Sequence, residues 1–159
     1  MLDAATMNYY KNLPRKPIGA AVIFFDMNDR LLIVKPSYKS GWLLVGGSVD
    51  ADESPLHAAI REVKEELGLS IESLDFVCLH FMKNHETAGE SIHIVFNGGQ
   101  LTDEQIGQIQ LPADELVEYR FVTVEEVIKL LRPGLAVKIE ACLAAIESGC
   151  PIYLEHENG

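Results

Sequence analysis

The chain has little of what staples a small secreted protein or grips a polyanion. Only three of its 159 residues are cysteines, Cys78, Cys142 and Cys150. They show no Cys-x-x-Cys spacing, and each sits beside apolar residues. This excludes a disulfide framework and predicts reduced thiols that serve as packing groups. Positive charge is scarce: 13 Lys and Arg stand against 24 Asp and Glu, a formal net charge of -11 with no dense basic cluster. A polyanion is repelled by such a surface, so no nucleic-acid polymer is expected as a partner. No apolar run approaches the roughly 20 residues of a bilayer span. The N-terminus has neither a basic n-region nor an apolar h-region, and the expectation is a cytoplasmic protein with no membrane partner. No repeat, low-complexity tract or Ser/Pro-rich linker divides the chain.

What is present is globular. Hydrophobic residues make up 48% and charged residues 23% of the chain, both near the averages for folded domains. A single domain of this length buries roughly 68–70% of the surface its unfolded chain exposes, enough for an unstapled core. Residues 1–16 read as an N-terminal arm, 17–148 as the domain and 149–159 as a C-terminal tail. Ile18 to Phe25, a turn at Asn28-Asp29 and Leu31 to Val34 predict a β-hairpin, and Trp42 to Val45 a third strand. Leu74 to Phe81 and Ser91 to Phe96 predict strands joined by a loop at Asn84 to Glu90, the second closed by Asn97-Gly98-Gly99. Leu116 to Val122 predicts another strand. Val124 to Leu131 and Gly134 to Ser148 predict helices, the latter lining one face with Leu135, Ile139, Cys142, Leu143 and Ile146. Mixed strands and interspersed helices give an α/β or α+β sandwich.

Between Ser54 and Leu67 the period changes to that of a helix: Leu56, Ala59, Ile60, Val63 and Leu67 form one apolar stripe. Ser54 is a helix cap, Pro55 suits the first position, and Gly68 is the stop. At about 100° per residue, with Glu62 at zero, Glu65 falls at about −60° and Glu66 at about +40°, while the stripe centres at about +115°. Three carboxylates therefore share a face away from the centre of the stripe. Like charges so close destabilise a helix by a few tenths of a kcal/mol per contact. A hard divalent cation with oxygen ligands would relieve them; a solvated acidic face is the alternative.

The wider spacing resembles the complete Nudix box. Gly47, five residues, Glu53, seven residues, then Arg61-Glu62-Val63-Lys64-Glu65-Glu66-Leu67-Gly68-Leu69 match every defining position. Seven identities and two apolar positions would arise by chance on the order of once in 10⁹ starts or less. The flanking strand order looks like a Nudix domain, which implies an α/β/α sandwich with a mixed sheet. The resemblance also implies Mg²⁺- or Mn²⁺-dependent hydrolysis of a nucleoside diphosphate linked to another group. Glu62, Glu65 and Glu66 match the family's metal-binding glutamates, and the Gly47 carbonyl matches its backbone ligand. Arg61 and Glu53 match the pair that orients loop and helix, a role suited to the two-pronged hydrogen bond of a guanidinium.

Other candidates are graded by position. Lys35 and Lys39 match places where basic residues touch substrate phosphates in the family, with solvated lysines as the alternative. Glu115 and Glu118 lie where many members place an extra carboxylate; Glu115 is the candidate for a further metal contact or water-activating base. Trp42 is expected in the core rather than stacked on a base. His57, His80 and His93 show no ligand-like spacing, so a zinc site is not expected. The chain departs from the usual Leu-Pro-Gly-Gly at Leu44-Val45-Gly46-Gly47, losing a rigid φ but no ligand. Asn84-His85-Glu86-Thr87 matches neither the ADP-sugar nor the dinucleoside-polyphosphate marker, and the NADH tail signature is absent. The expected partner is a small phosphorylated substrate, a nucleotide derivative. Tyr9 and Tyr10 on the arm offer a surface for a homodimer. Two other readings stand beside the hydrolase: a catalytically inactive Nudix-fold nucleotide-binding or regulatory module, and, ranked last, an isomerase, for which no Cys lies in or just before the box.

Overall fold

The structure, a computed structural model, describes residues 2–85 and 89–156. Its elements are α1 (Ala4–Lys11), β1 (Ile18–Phe25), β2 (Leu31–Pro36), β3 (Val45–Ser48), α2 (Pro55–Leu67), β4 (Asp75–His85), β5 (Gly89–Gln100), α3 (Asp103–Gly107), β6 (Leu116–Val122), α4 (Val124–Leu130), α5 (Pro133–Ser148) and β7 (Ile152–His156). Among the described residues the strands form one mixed sheet in the order β6-β2-β1-β5-β4-β7, with β3 paired to β1. α2 covers one face and α4 with α5 the other, the expected α/β/α sandwich. No helix among the described residues is long and apolar enough to cross a membrane.

β1 and β2 are buried on both faces, so they read as near-continuous apolar runs rather than an alternation. Ala20, Val22, Phe24, Leu32 and Val34 pack with Ala59, Val63 and Leu67 of α2. Ile23, Leu31 and Ile33 pack with Val127, Ile139 and Cys142 of α4 and α5. The edges of β1 position the site. One edge runs parallel to β5 from Ile18↔Ile92 to Phe25↔Gln100. The other pairs antiparallel with β3, from Gly19↔Ser48 to Val22↔Val45, and meets β2 at Phe25↔Leu31. β2 thus diverges from β1, and the bridge Val34↔Leu43 ties it to the segment entering β3.

Several expectations are corrected. The third strand is Val45–Ser48, not Trp42 to Val45; Trp42 and Leu44 instead sink into the core beneath α4 and α5. Asn97-Gly98-Gly99 does not close β5, because the glycines make a bulge. Ile23 pairs with Asn97 and Phe24 with Gly99, which leaves Gly98 as the extra residue. A Cβ on Gly98 would lie 2.0 Å from Phe24 Cε1, so the ring takes the place of a side chain. β4 and β5 run further than expected into the loop at Asn84 to Glu90, of which residues 86–88 lie outside the described residues. The stripe on α2 includes Ala58, whereas Leu56, in the first turn, is 38% exposed. On α5 the buried face runs through Ala136, Lys138, Ile139, Cys142 and Ala145, with Leu135, Leu143 and Ile146 only at its margin. α1, α3 and β7 were not expected. α1 buries none of its residues, so no apolar period announces it, and Tyr9 and Tyr10 stand exposed. β7 pairs parallel with β4, from Cys78↔Ile152 to Met82↔His156.

The two positions on α2 set a direct test. Val63→Asp buries an unpaired charge in a fully buried site and should cost about 4 kcal/mol or more. Leu56→Asp should stay within about 0.5 kcal/mol. Urea denaturation of both variants checks the assignment of the faces.

Candidate functional site

α2 starts and stops as its chemistry dictates. Ser54 Oγ accepts the His57 N–H at 3.2 Å, Pro55 occupies the first turn, and Gly68 ends the helix at φ 73°. From the second turn, Arg61 reaches back over the loop that precedes the helix. Its Nε and Nη2 donate to the two oxygens of Glu53 at 2.9 and 3.0 Å, and Nη2 also donates to the Ser48 carbonyl at 3.0 Å. Nη1 donates to Glu62 Oε1 and to Glu65 Oε2, both at 2.8 Å. Glu53 Oε2 in turn accepts the Asp50 N–H at 3.1 Å. The loop between β3 and α2 is therefore tied to the helix by one planar cation. That hydrogen bonding holds the Glu53 carboxyl below the usual range.

The backbone on the other side is shaped by two glycines. Gly46 sits at φ 141°, and a Cβ there would lie 2.2 Å from the Ala20 carbonyl oxygen. A Cβ on Gly47 would lie 2.3 Å from Glu62 Oε1. Only glycine lets β3 press against β1 and leaves room for the Glu62 carboxylate over the Gly47 backbone. The Gly46 N–H donates to Glu66 Oε2 at 2.8 Å. Ser37 holds the facing wall: its N–H donates to the Glu115 carbonyl at 2.8 Å and its hydroxyl to the Asp114 carbonyl at 2.6 Å.

These groups meet in a cavity of about 590 Å³ whose lining includes Gly47, Glu62, Glu66, Glu115 and Lys39. The carboxylate face of α2 does not simply face water. The Glu62 side chain is only 14% exposed, whereas Glu65 is 51% exposed at the rim. Burial raises the Glu66 carboxyl to about 7, helped by repulsion from Glu62 and Glu115 and opposed by the Gly46 N–H and Lys39. Burial likewise raises Glu62, against the pull of Arg61. Arg61, Glu53 and Glu65 do not line the cavity, and neither do Lys35 and Glu118. Lys35 Nζ lies 5.9 Å from the centre of the Trp42 ring, and Glu118 pairs with Arg120 at 2.6 Å. Among the described residues no three His, Cys, Asp or Glu side chains are closed into a ligand set. The Glu62, Glu66 and Glu115 side chains and the Gly47 backbone nonetheless bring oxygen donors to one cavity, which suits a hard divalent ion. His93, Tyr38 and Lys138 also line the cavity and were missed from sequence. The one available signal was a lysine set at i, i+4 and i+7 with Cys142 and Ala145 on an otherwise apolar helix face.

The raised carboxyl carries a pH signature in metal-free protein. Glu66 is protonated in both states below about pH 4.5. Between there and about pH 7 only the unfolded chain ionises freely, so stability falls as pH rises. At about 1.36 kcal/mol per unit, the full effect is about 3 kcal/mol. Glu66→Gln in EDTA should gain that much relative to the parent between pH 4.5 and 7.5. Parallel stability curves across this range would contradict the shift.

Comparison with known proteins agrees with the geometry. A Listeria innocua protein described only as a Nudix hydrolase is 32% identical over 119 residues, covering 71% of this chain and 67% of its own. The CTP pyrophosphohydrolase of Escherichia coli K12 is 28% identical over 133 residues, covering 77% of this chain and 95% of its own. The crystal structure of a MutT protein from Methanosarcina mazei superposes with a TM-score of 0.68 at 24% identity, covering 86% of this chain and 99% of that one. The chain spans only 7% of the length of the yeast mRNA-decapping enzyme subunit that it matches over 70 residues at 30% identity. The profile of the NUDIX domain matches residues 15–142, and the chain belongs to that family.

Proposed function

We propose that the protein is a divalent-metal-dependent hydrolase that cleaves the diphosphate linkage of a nucleoside diphosphate joined to another group. The observation that carries this reading is the pair Glu62 and Glu66, half-sunk beside Gly46 and Gly47 at a cavity wall, both raised by burial and by the nearby Glu115 charge. A chain gains nothing in stability from such crowding unless a cation offsets it. Glu62, Glu65, Glu66 and the Gly47 carbonyl would hold Mg²⁺ or Mn²⁺, which when bound neutralises the diphosphate and lowers the pKa of coordinated water. Arg61 and Glu53 position this set without entering the cavity. Lys39, on the cavity wall, meets phosphate charge. Glu115 lines the same cavity and its charge raises both Glu62 and Glu66; it would take the proton of the attacking water. The relative named as a CTP pyrophosphohydrolase and the resemblance of the box both support a nucleotide derivative as the substrate class.

A panel of nucleoside triphosphates, nucleotide sugars and dinucleotides should show release of phosphate species with Mg²⁺ or Mn²⁺, stopped by EDTA. Arg61→Lys keeps a charge but loses the fork, and should lower kcat/KM about 10- to 100-fold on every substrate. The triple Glu62, Glu65, Glu66→Gln variant should be silent and still folded. Cation binding without cleavage of any compound would instead favour a binding module.

A further inference from the structure

The cavity does not end at the carboxylates. Because β2 leaves β1 at the Phe25↔Leu31 pair, the cavity wall passes from α2 on one side of the sheet to Leu135 and Lys138 of α5 on the other. Gly19 and Ala21 of β1 lie at this end and present almost no side chain, and His93 of β5 lies beside them. A Cβ on Gly19 would stand 3.2 Å from His93 Nδ1. The small residues leave space where a larger side chain would close the sheet onto the helix.

Lys138 is the anomaly of this compartment. It is only 7% exposed, yet among the described residues its Nζ makes no hydrogen bond and no ion pair. The titratable groups around it are the Cys142 and Cys78 thiols and the His93 imidazole, with no carboxylate among them. His93 Nε2 is engaged with Ser91 Oγ at 3.2 Å, and burial lowers its pKa to about 4, so the imidazole is neutral. A buried lysine without a partner costs stability. Burial lowers the Lys138 pKa, and the N–H donors of its Nζ match an oxygen acceptor that arrives with a ligand.

We propose that Lys138 is a specificity-determining residue. Its Nζ donates to an oxygen acceptor on the part of the substrate farthest from the carboxylates, and the compartment disfavours an amino group there and prefers an acidic oxygen to a hydroxyl. This rests on the reading of the cavity as the site of a nucleotide derivative. A cavity of about 590 Å³ lies within the roughly 300–1,000 Å³ typical of small-molecule sites. The acceptor is either a keto oxygen of the base or an acidic group on the attached moiety.

Three substrate pairs separate these sources: UTP against CTP, GTP against ATP, and UDP-glucuronate against UDP-glucose. The native protein should favour the first member of at least one pair about tenfold or more in kcat/KM, since an unmet buried donor is penalised. In Lys138→Met the ratio should collapse to within about threefold, the fall coming from the preferred member. The variant should melt no lower than the parent, because a buried amine without a partner has been removed. Preference in a nucleobase pair identifies the keto oxygen, and preference in the sugar pair identifies the acidic group. Calorimetric binding of the same compounds in EDTA separates this inference from the hydrolase reading. Discrimination in binding that Lys138→Met abolishes supports Lys138 even if nothing is cleaved. Cleavage with no preference in any pair, or with the same preference in the variant, overturns the role of Lys138 and leaves the hydrolase standing. Neither binding nor cleavage of any compound overturns both, and a variant that loses stability and all rates alike marks Lys138 as structural.

Discussion

The guanidinium of Arg61 is the constraint on which the site depends. One rigid fork donates to both oxygens of Glu53, reaches the Ser48 carbonyl and holds Glu62 and Glu65. Each contact alone is an ordinary ion pair or hydrogen bond, and a single exposed pair contributes about 0–1 kcal/mol. Their value is geometric, because they converge on one planar group that cannot be deprotonated. The loop after β3 is thereby fixed against α2, and the Glu62 carboxylate is fixed over the Gly47 backbone. A lysine would supply the charge and not the register.

That arrangement works because the sheet is split. β1 pairs with β3 through its first half and meets β2 at Phe25↔Leu31, so a cavity opens inside a sandwich whose faces are otherwise filled. Gly46 and Gly47 let β3 lie where a side chain would collide with β1 or with Glu62. Carboxyl groups collect on the α2 side and a buried lysine on the α5 side. The cavity therefore has two chemically different ends, as a substrate with a phosphate end and an acceptor-bearing end would require.

The residues that made the site legible in sequence are those whose roles are set locally. Ser54, Pro55 and Gly68 bound the helix through backbone chemistry within a few residues, and the spacing from Gly47 to Glu66 places the glutamates on one side of it. What was misread depends on distant partners. Gly98 reads as a turn until Phe24 is seen to fill its space. Leu56 reads as core until its first-turn position leaves it exposed. Lys138 drew no reading from the sequence, because apolar periodicity does not mark a lysine as part of a buried stripe. α1 and β7 carry too little buried apolar surface to announce themselves.

The central claim is that the crowded carboxyl groups form a cation site, and proton release reports it most directly. Because Glu66 is raised to about 7, a cation must displace its proton near neutral pH. Mn²⁺ should be titrated at pH 6.5 by calorimetry in buffers of different ionisation enthalpy. Binding should release about 0.5 to 1 proton per ion, and Glu66→Gln should abolish that release. Binding with no proton release in the parent protein, or no binding at all, would contradict the account.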